Sequence, residues 1–307
     1  MTGARPGQGP SSTTMRSTRR ALLGLSVHGL LGLVARGSRA EAKATPSSAD
    51  VEVRDLREGG RRFTLVVPRH LAPGEKVPLV VLLHGLGETT DERSGAFAWI
   101  ERYGLVSAYE RLRRPPVTRT SRRRDLTEPR AGELSSALAA RPFGGLVLAC
   151  PYMPNLAGNP SGIDAYGRWL VDALVPRARR EAPTQGDDRR VGIGGCSLGG
   201  TLSLGVFLRH PGRFGAWGGL QTAIGEASAG AYAIKLAALA HGGAPPRLQL
   251  LSSTEDPFRR ANEALGRALA RRGVAHDLRV PPGPHDQPWL REAGTLESLF
   301  FFDAALR

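Results

Sequence analysis

Beyond about residue 50, short apolar runs alternate with longer stretches whose apolar residues recur every three or four positions. Such alternation predicts an α/β domain, with a mostly parallel central sheet and helices on both faces. Val51-Glu52-Val53 and Arg62 to Val67, on either side of Gly59-Gly60, read as an opening hairpin. Val77 to Leu83 is an apolar run suited to a central strand, and it ends in His84-Gly85-Leu86-Gly87. The spacing then predicts a helix near Asp91 to Tyr109. Gly145 to Cys150 reads as a strand, closed by Pro151-Tyr152-Met153-Pro154, and a helix is expected from Ile163 to Arg180. Arg189 to Gly194 and Phe214 to Leu220 are further strands. Between them Leu198, Leu202, Val206 and Leu208 share a helical face that stops at His210-Pro211-Gly212. A helix from Ala229 to His241, strands at Arg247 to Ser252 and His276 to Val280, and a closing helix from Pro288 complete the pattern, without internal repeats.

The first 42 residues differ in character. Ser17-Thr18-Arg19-Arg20-Ala21-Leu22-Leu23 resembles a twin-arginine export signal. The apolar stretch to Val34 is too short and too interrupted to span a bilayer, and Ala40-Glu41-Ala42 offers a small-x-small cleavage site. The organisation expected is therefore an export segment over 1–42 and a single domain over 43–307, periplasmic or secreted, with no stable membrane insertion once the signal is removed. The formal net charge is +14, of which +9 remains beyond residue 42. Lysine occurs only at positions 43, 76 and 235 while arginine is spread everywhere, so the excess reads as a bias towards arginine. No aromatic residues interleave with the charge, and no nucleic-acid partner is expected. The basic run from Arg111 to Arg124, inside an arginine-rich stretch reaching about Arg141, reads as a solvated insertion. Cys150 and Cys196 each follow an apolar run and read as small buried hydrophobes; His and carboxylate spacings match no zinc or calcium pattern, so no metal is expected.

Gly195-Cys196-Ser197-Leu198-Gly199 falls where an apolar run ends and a helical one begins. A serine on so sharp a turn needs glycine two residues away on each side, because strand and helix leave no room for a Cβ. In a chain with 39 glycines the pentapeptide is weak by itself. It gains weight from two residues nearer the C-terminus. A serine hydroxyl needs a base to take its proton, and the base needs an orienting carboxylate. Asp256 lies just beyond the run Arg247 to Ser252, and His285 comes after the last strand through Pro281-Pro282-Gly283-Pro284. Asp256 precedes Pro257 and a helical run, so it also suits an N-cap, and Glu255 is the rival acid. His28, His70, His210, His241 and His276 are unsuited to the base. For the developing oxyanion, the amides of Leu198 and Leu86 are the candidate donors. His84 is expected to pack and hydrogen-bond beneath the Leu86 loop.

These residues resemble the α/β-hydrolase superfamily, and within it the esterase D and enterochelin-esterase-like branch. The likeness runs from about Leu79 to the C-terminus and rests on His84-Gly85-x-Gly87, Gly195-x-Ser197-x-Gly199, Asp256-Pro257-Phe258 and Gly283-Pro284-His285-Asp286 with Trp289. It implies the α/β-hydrolase fold, a Ser197, Asp256, His285 triad, no cofactor, and hydrolysis of a small-molecule or polysaccharide-linked ester through an acyl-enzyme. Gln287 stands where the branch commonly has an aromatic residue. An acyltransferase or a serine peptidase on the same fold, and a non-catalytic binding protein, are the alternatives; no pattern sets an oligomeric state.

Overall fold

The computed structural model describes residues 48–240 and 245–307. Among these residues eight strands form one sheet, in the order β1-β2-β4-β3-β5-β6-β7-β8. β1 (Val51–Glu58) and β2 (Arg61–Pro68) make the expected antiparallel hairpin, turning through Gly59 and Gly60, and β2 pairs antiparallel with β4 (Val147–Pro151). All other neighbours are parallel: β3 (Leu79–Leu83), β5 (Val191–Cys196), β6 (Ala216–Leu220), β7 (Arg247–Leu251) and β8 (Asp277–Arg279).

Parallel neighbours require crossovers, and helices supply them. α1 (Glu92–Ala96), α2 (Ala98–Glu101), α3 (Leu105–Arg113) and α4 (Glu128–Ala140) separate β3 from β4. α5 (Pro160–Trp169) and α6 (Val175–Glu181) lead to β5, and α7 (Leu198–Arg209) leaves it. α8 (Ala229–Ala240) follows β6, α9 (Arg259–Ala270) follows β7, and α10 (Gln287–Trp289) and α11 (Thr295–Leu306) end the chain. Side chains alternate across the sheet. Leu79, Val81 and Leu83 pack on one face with Leu170, Leu202 and Leu265, while Val80 and Leu82 face Tyr109, Leu296 and Phe302 on the other. The sheet is thus buried on both sides, as the unbroken apolar runs require.

Three expectations need correction or qualification. The helix expected near Asp91 to Tyr109 is three short helices. Asp91 caps the first by accepting from the Ser94 amide at 2.6 Å, the chain turns at Phe97, and Gly104 turns it again at φ 72°. The helix expected over Ile163 to Arg180 is present but widens to a π-turn over Leu170–Leu174. Pro176 follows, and its missing N–H accounts for a loosened turn there.

The third is the arginine-rich segment, which is not simply solvated. Arg111, largely covered, pairs with buried Glu292 at 3.5 Å. Arg130 on α4 pairs with buried Glu297 at 2.6 Å, and Arg114 pairs with Asp50 at 2.7 Å. Buried carboxylates near the C-terminus need cationic partners, and charge counted along the sequence does not reveal that demand. The export segment over 1–42 lies outside the described residues, as does His241 at the end of the expected helix. Among the described residues no helix is long and apolar enough to cross a membrane.

Candidate active site

Cys196, Leu220, Leu251 and Arg279 stand side by side in the sheet register, so the residues that follow them share the carboxyl edge. Ser197 leaves β5 at φ 54° and ψ −119°, a strained conformation for a non-glycine residue, and heads directly into α7. The turn is possible because of its flanks. A Cβ on Gly195 would lie 2.6 Å from both the Leu83 carbonyl oxygen and Gly199 backbone; one on Gly199 would lie 2.4 Å from the Leu83 and His84 oxygens. Backbone bonds then fix the serine in place: its N–H donates to Leu220 O at 2.8 Å, and its carbonyl accepts from Ala223 N at 3.1 Å.

Asp256 and His285 meet beyond β7 and β8. The Nδ1–H of His285 donates to Asp256 Oδ1 at 2.8 Å. The Asp256 carboxylate is fully buried, and its oxygens also accept from Ser252 Oγ at 2.6 Å and Phe258 N at 3.0 Å. These donors fix its orientation, and the His285 ring, about a quarter exposed, faces outward from it. Phe258 packs edge-on against that ring. Asp256 does turn the chain towards a helix, but α9 itself begins at Arg259 with Phe258 at its N-cap. The rival, Glu255, has an exposed side chain and pins the histidine loop through its backbone instead, its N–H donating to Gly283 O at 3.0 Å.

Leu198 is the first residue of α7, and Leu86 the first of a 3₁₀ turn over Leu86–Glu88. Amides at those positions have no acceptor within their own helices. The Leu86 carbonyl is held by the Thr89 amide and hydroxyl, and its side chain is 55% exposed at the surface. His84 lies beneath, as expected. Its Nε2 accepts from Met153 N at 2.9 Å, so Nδ1 carries the proton and donates to Gly85 O at 2.9 Å. Burial holds its pKa below the ordinary histidine value.

Behind this loop sits a polar cluster that sequence patterning does not suggest. Gly85 N donates to Tyr103 Oη, which donates to buried Glu88 Oε2 at 2.5 Å; Arg102 and Gln287 reach Glu88 Oε1 at 3.1 and 3.4 Å. Cys196 is buried beside it and burial pushes its thiol up to about 12, so it stays protonated at neutral pH, in keeping with a small buried hydrophobe. Patterning does not mark Gln221 either. It takes φ 46°, is almost completely buried, and its amide donates to Ser253 Oγ at 2.7 Å and Pro284 O at 3.0 Å. It therefore links the strand beside Ser197 to the residue before His285. A positive φ at a glutamine leaves no mark in the residue type. A cavity of about 690 Å³ lined by Phe207, His210, Phe214 and Arg247 lies at the opposite edge, by the amino ends of β5 to β7, far from this constellation.

The sheet order, the strained serine between β5 and α7, and the acid and histidine beyond β7 and β8 define the α/β-hydrolase fold. Solved structures share it. A ferulic acid esterase matches with a TM-score of 0.59 at 17% identity, over 84% of this chain and 98% of that one. S-formylglutathione hydrolase from Staphylococcus aureus matches at 0.57 and 15% identity, over 85% and 99%. The enterobactin esterase of Shigella flexneri matches at 0.52 and 19% identity, over 82% of this chain but only 58% of that longer one. No protein-family model matches the chain. No curated protein matches its sequence.

Proposed function

We propose that this protein is a serine hydrolase acting on carboxylic esters, with Ser197 as nucleophile, His285 as base and Asp256 as the acid that orients it. The observation that carries the reading is the 2.8 Å bond from His285 to a fully buried Asp256, at the sheet edge where Ser197 sits strained at φ 54°. The Ser197 hydroxyl attacks the ester carbonyl carbon and its proton passes to Nε2 of His285. Asp256 keeps the ring in the tautomer that leaves Nε2 free to accept, and stabilises the imidazolium. The oxyanion accepts from the Leu198 and Leu86 amides. Collapse expels the alcohol, which takes its proton from His285, and leaves an acyl-enzyme. Water then repeats the sequence and releases the acid. No step calls for a metal or cofactor. The esterases that share the fold support an ester substrate, and the resemblance of Ser17 to Leu23 to a twin-arginine signal supports export.

A panel of p-nitrophenyl esters graded by acyl length tests the reading. Wild-type protein turns over at least the short esters, and Ser197→Ala lowers kcat by roughly 10⁴-fold or more with unchanged circular dichroism. Turnover retained in Ser197→Ala removes the assignment.

A further inference from the structure

His285 lies on a loop, and loops hold catalytic geometry only where something outside them fixes it. One side of this loop is fixed by the sheet edge. Gly283 N donates to Thr254 Oγ1 at 3.1 Å, Thr254 N to Pro281 O at 3.0 Å, and Gln221 to Pro284 O. The other side faces the arginine-rich segment between α3 and α4. Arg123 spans two carboxylates there. Its Nη1 and Nη2 bond to Asp286, the residue directly after His285, at 2.9 and 3.2 Å, and its Nε lies 2.7 Å from buried Asp125. Asp125 in turn sits against Gly283, where an added Cβ would come within 2.7 Å of its Oδ1 and 2.4 Å of Trp289; Gly283 has φ 121°. Asp286 also accepts from Trp289 N at 2.8 Å, and Trp289 Nε1 donates to Pro282 O at 3.0 Å. The segment itself is anchored further back, by Thr120 N to Glu292 at 2.9 Å and by Arg111 to Thr118 O at 2.7 Å.

We infer that the segment from Thr118 to Asp125 is a strap over the histidine loop, and that Arg123 is a positioning residue for His285, acting through Asp286 and Asp125. The inference rests on the hydrolase reading above. An isolated, partly exposed ion pair would be worth little. Arg123 differs because its planar fork meets one carboxylate in bidentate fashion and a second, buried one at the same time. Besides Asp256, the charged groups around His285 are Asp286, Arg123 and Asp125 on the strap side, Glu255 on the sheet side, and the Glu88–Arg102 pair reached through Gln287. Arg123 is the cation nearest the histidine's own loop among these. Removing it loosens the loop and leaves the Asp286 charge uncompensated beside His285.

The test compares full-length wild type with Arg123→Ala, Arg123→Lys and, as a control, Arg124→Ala, whose side chain is exposed. In Arg123→Ala, kcat on a p-nitrophenyl ester falls about 10- to 100-fold with KM nearly unchanged. The acidic limb of the kcat/KM profile moves upward, because an uncovered carboxylate favours the imidazolium. Arg123→Lys keeps the charge without the fork, so it restores the limb but only part of kcat. Amide exchange over 281–289 quickens in Arg123→Ala and not in Arg124→Ala. Unchanged kcat, limb and exchange in Arg123→Ala overturn the strap; so does a loss of kcat with the limb in place and exchange unaltered. If Arg123→Ala does not fold, the lysine variant decides: wild-type kcat and exchange in it count against the inference. If wild type turns over no ester yet the loop loosens as described, the hydrolase reading has failed and the strap has not.

Discussion

The two turns that share the carboxyl edge of the sheet, at Ser197 and at His285, are held by different forces. Around Ser197 the constraint is excluded volume: Gly195 and Gly199 let β5, α7 and the Leu83–His84 backbone approach so closely that only one path remains for the serine. Around His285 the chain also needs a glycine, Gly283 at φ 121°, but the loop is tied down by hydrogen bonds and ion pairs from Thr254, Gln221, Asp256 and Arg123, with Asp125 holding Arg123 from behind. Sterics constrain Ser197 in a way that does not depend on pH or salt. A polar cage holds His285 in a geometry that depends on charge. The difference predicts that the serine turn fails all at once when crowded, whereas the histidine loop degrades by degrees.

The largest effect expected is at the carboxylate that closes the polar cage. Asp256→Asn keeps the side chain's shape but offers the histidine a donor, favouring the wrong tautomer; kcat is expected to fall about 10⁴-fold with little change in KM. Glu255→Gln, one residue away, is expected to stay within about twofold of wild type. Steady-state kinetics on one ester distinguishes them, and equal losses at the two positions would contradict the assignment of the acid.

Crowding the serine turn comes next. Gly199→Ala forces a Cβ to within 2.4 Å of two backbone oxygens that cannot withdraw. The cost is about 3 kcal/mol or more, read as a Tm lower by about 6–12 °C with activity lost in parallel. A Gly199→Ala protein with wild-type Tm would show that the turn is not sterically closed.

A smaller effect concerns the floor beneath the Leu86 loop. His84 must stay neutral to accept from Met153 N, and burial keeps its pKa below the ordinary value near 6.5. The unfolded chain takes up a proton there below about pH 6.5 and the native chain resists it, so stability is full above that pH and declines as pH falls towards the native value. His70 and His210, also lowered by burial, act in the same direction. Thermal melts between pH 7.5 and 5.5 should therefore show a falling Tm, with a shallower slope in His84→Gln; an identical slope would exclude His84 as a contributor. The smallest change expected is in Thr254→Val, which removes one bond from Gly283 N at an exposed residue and costs about 1 kcal/mol. Its kcat should drop only a few-fold, against the abrupt failure expected of Gly199→Ala.

The same contrast explains what could be read from the sequence. The strands were legible because a sheet buried on both faces needs unbroken apolar runs, and Leu79 to Leu83 or Val191 to Cys196 supply them. The serine turn was legible because its cause is glycine, which is written in residue type. Asp256 and His285 could be singled out by their order after the last strands. Their supports could not: Gln221 bonds to a residue 63 positions away and Arg123 to one 163 away, and neither contact leaves a local pattern. The arginine-rich segment reads as solvated for the same reason, since Arg111, Arg123 and Arg130 answer carboxylates that only the folded chain brings near. The helical break at Gly104 was equally hidden, because apolar spacing continues through it while the backbone turns away.

Covalent capture tests the central claim most directly. Wild-type protein treated with a fluorophosphonate and analysed by intact and peptide mass spectrometry should carry one adduct, on the peptide containing Ser197, and Ser197→Ala should carry none. A wild-type protein that stays unmodified, or one labelled at a different residue, would contradict a base-activated serine at this turn.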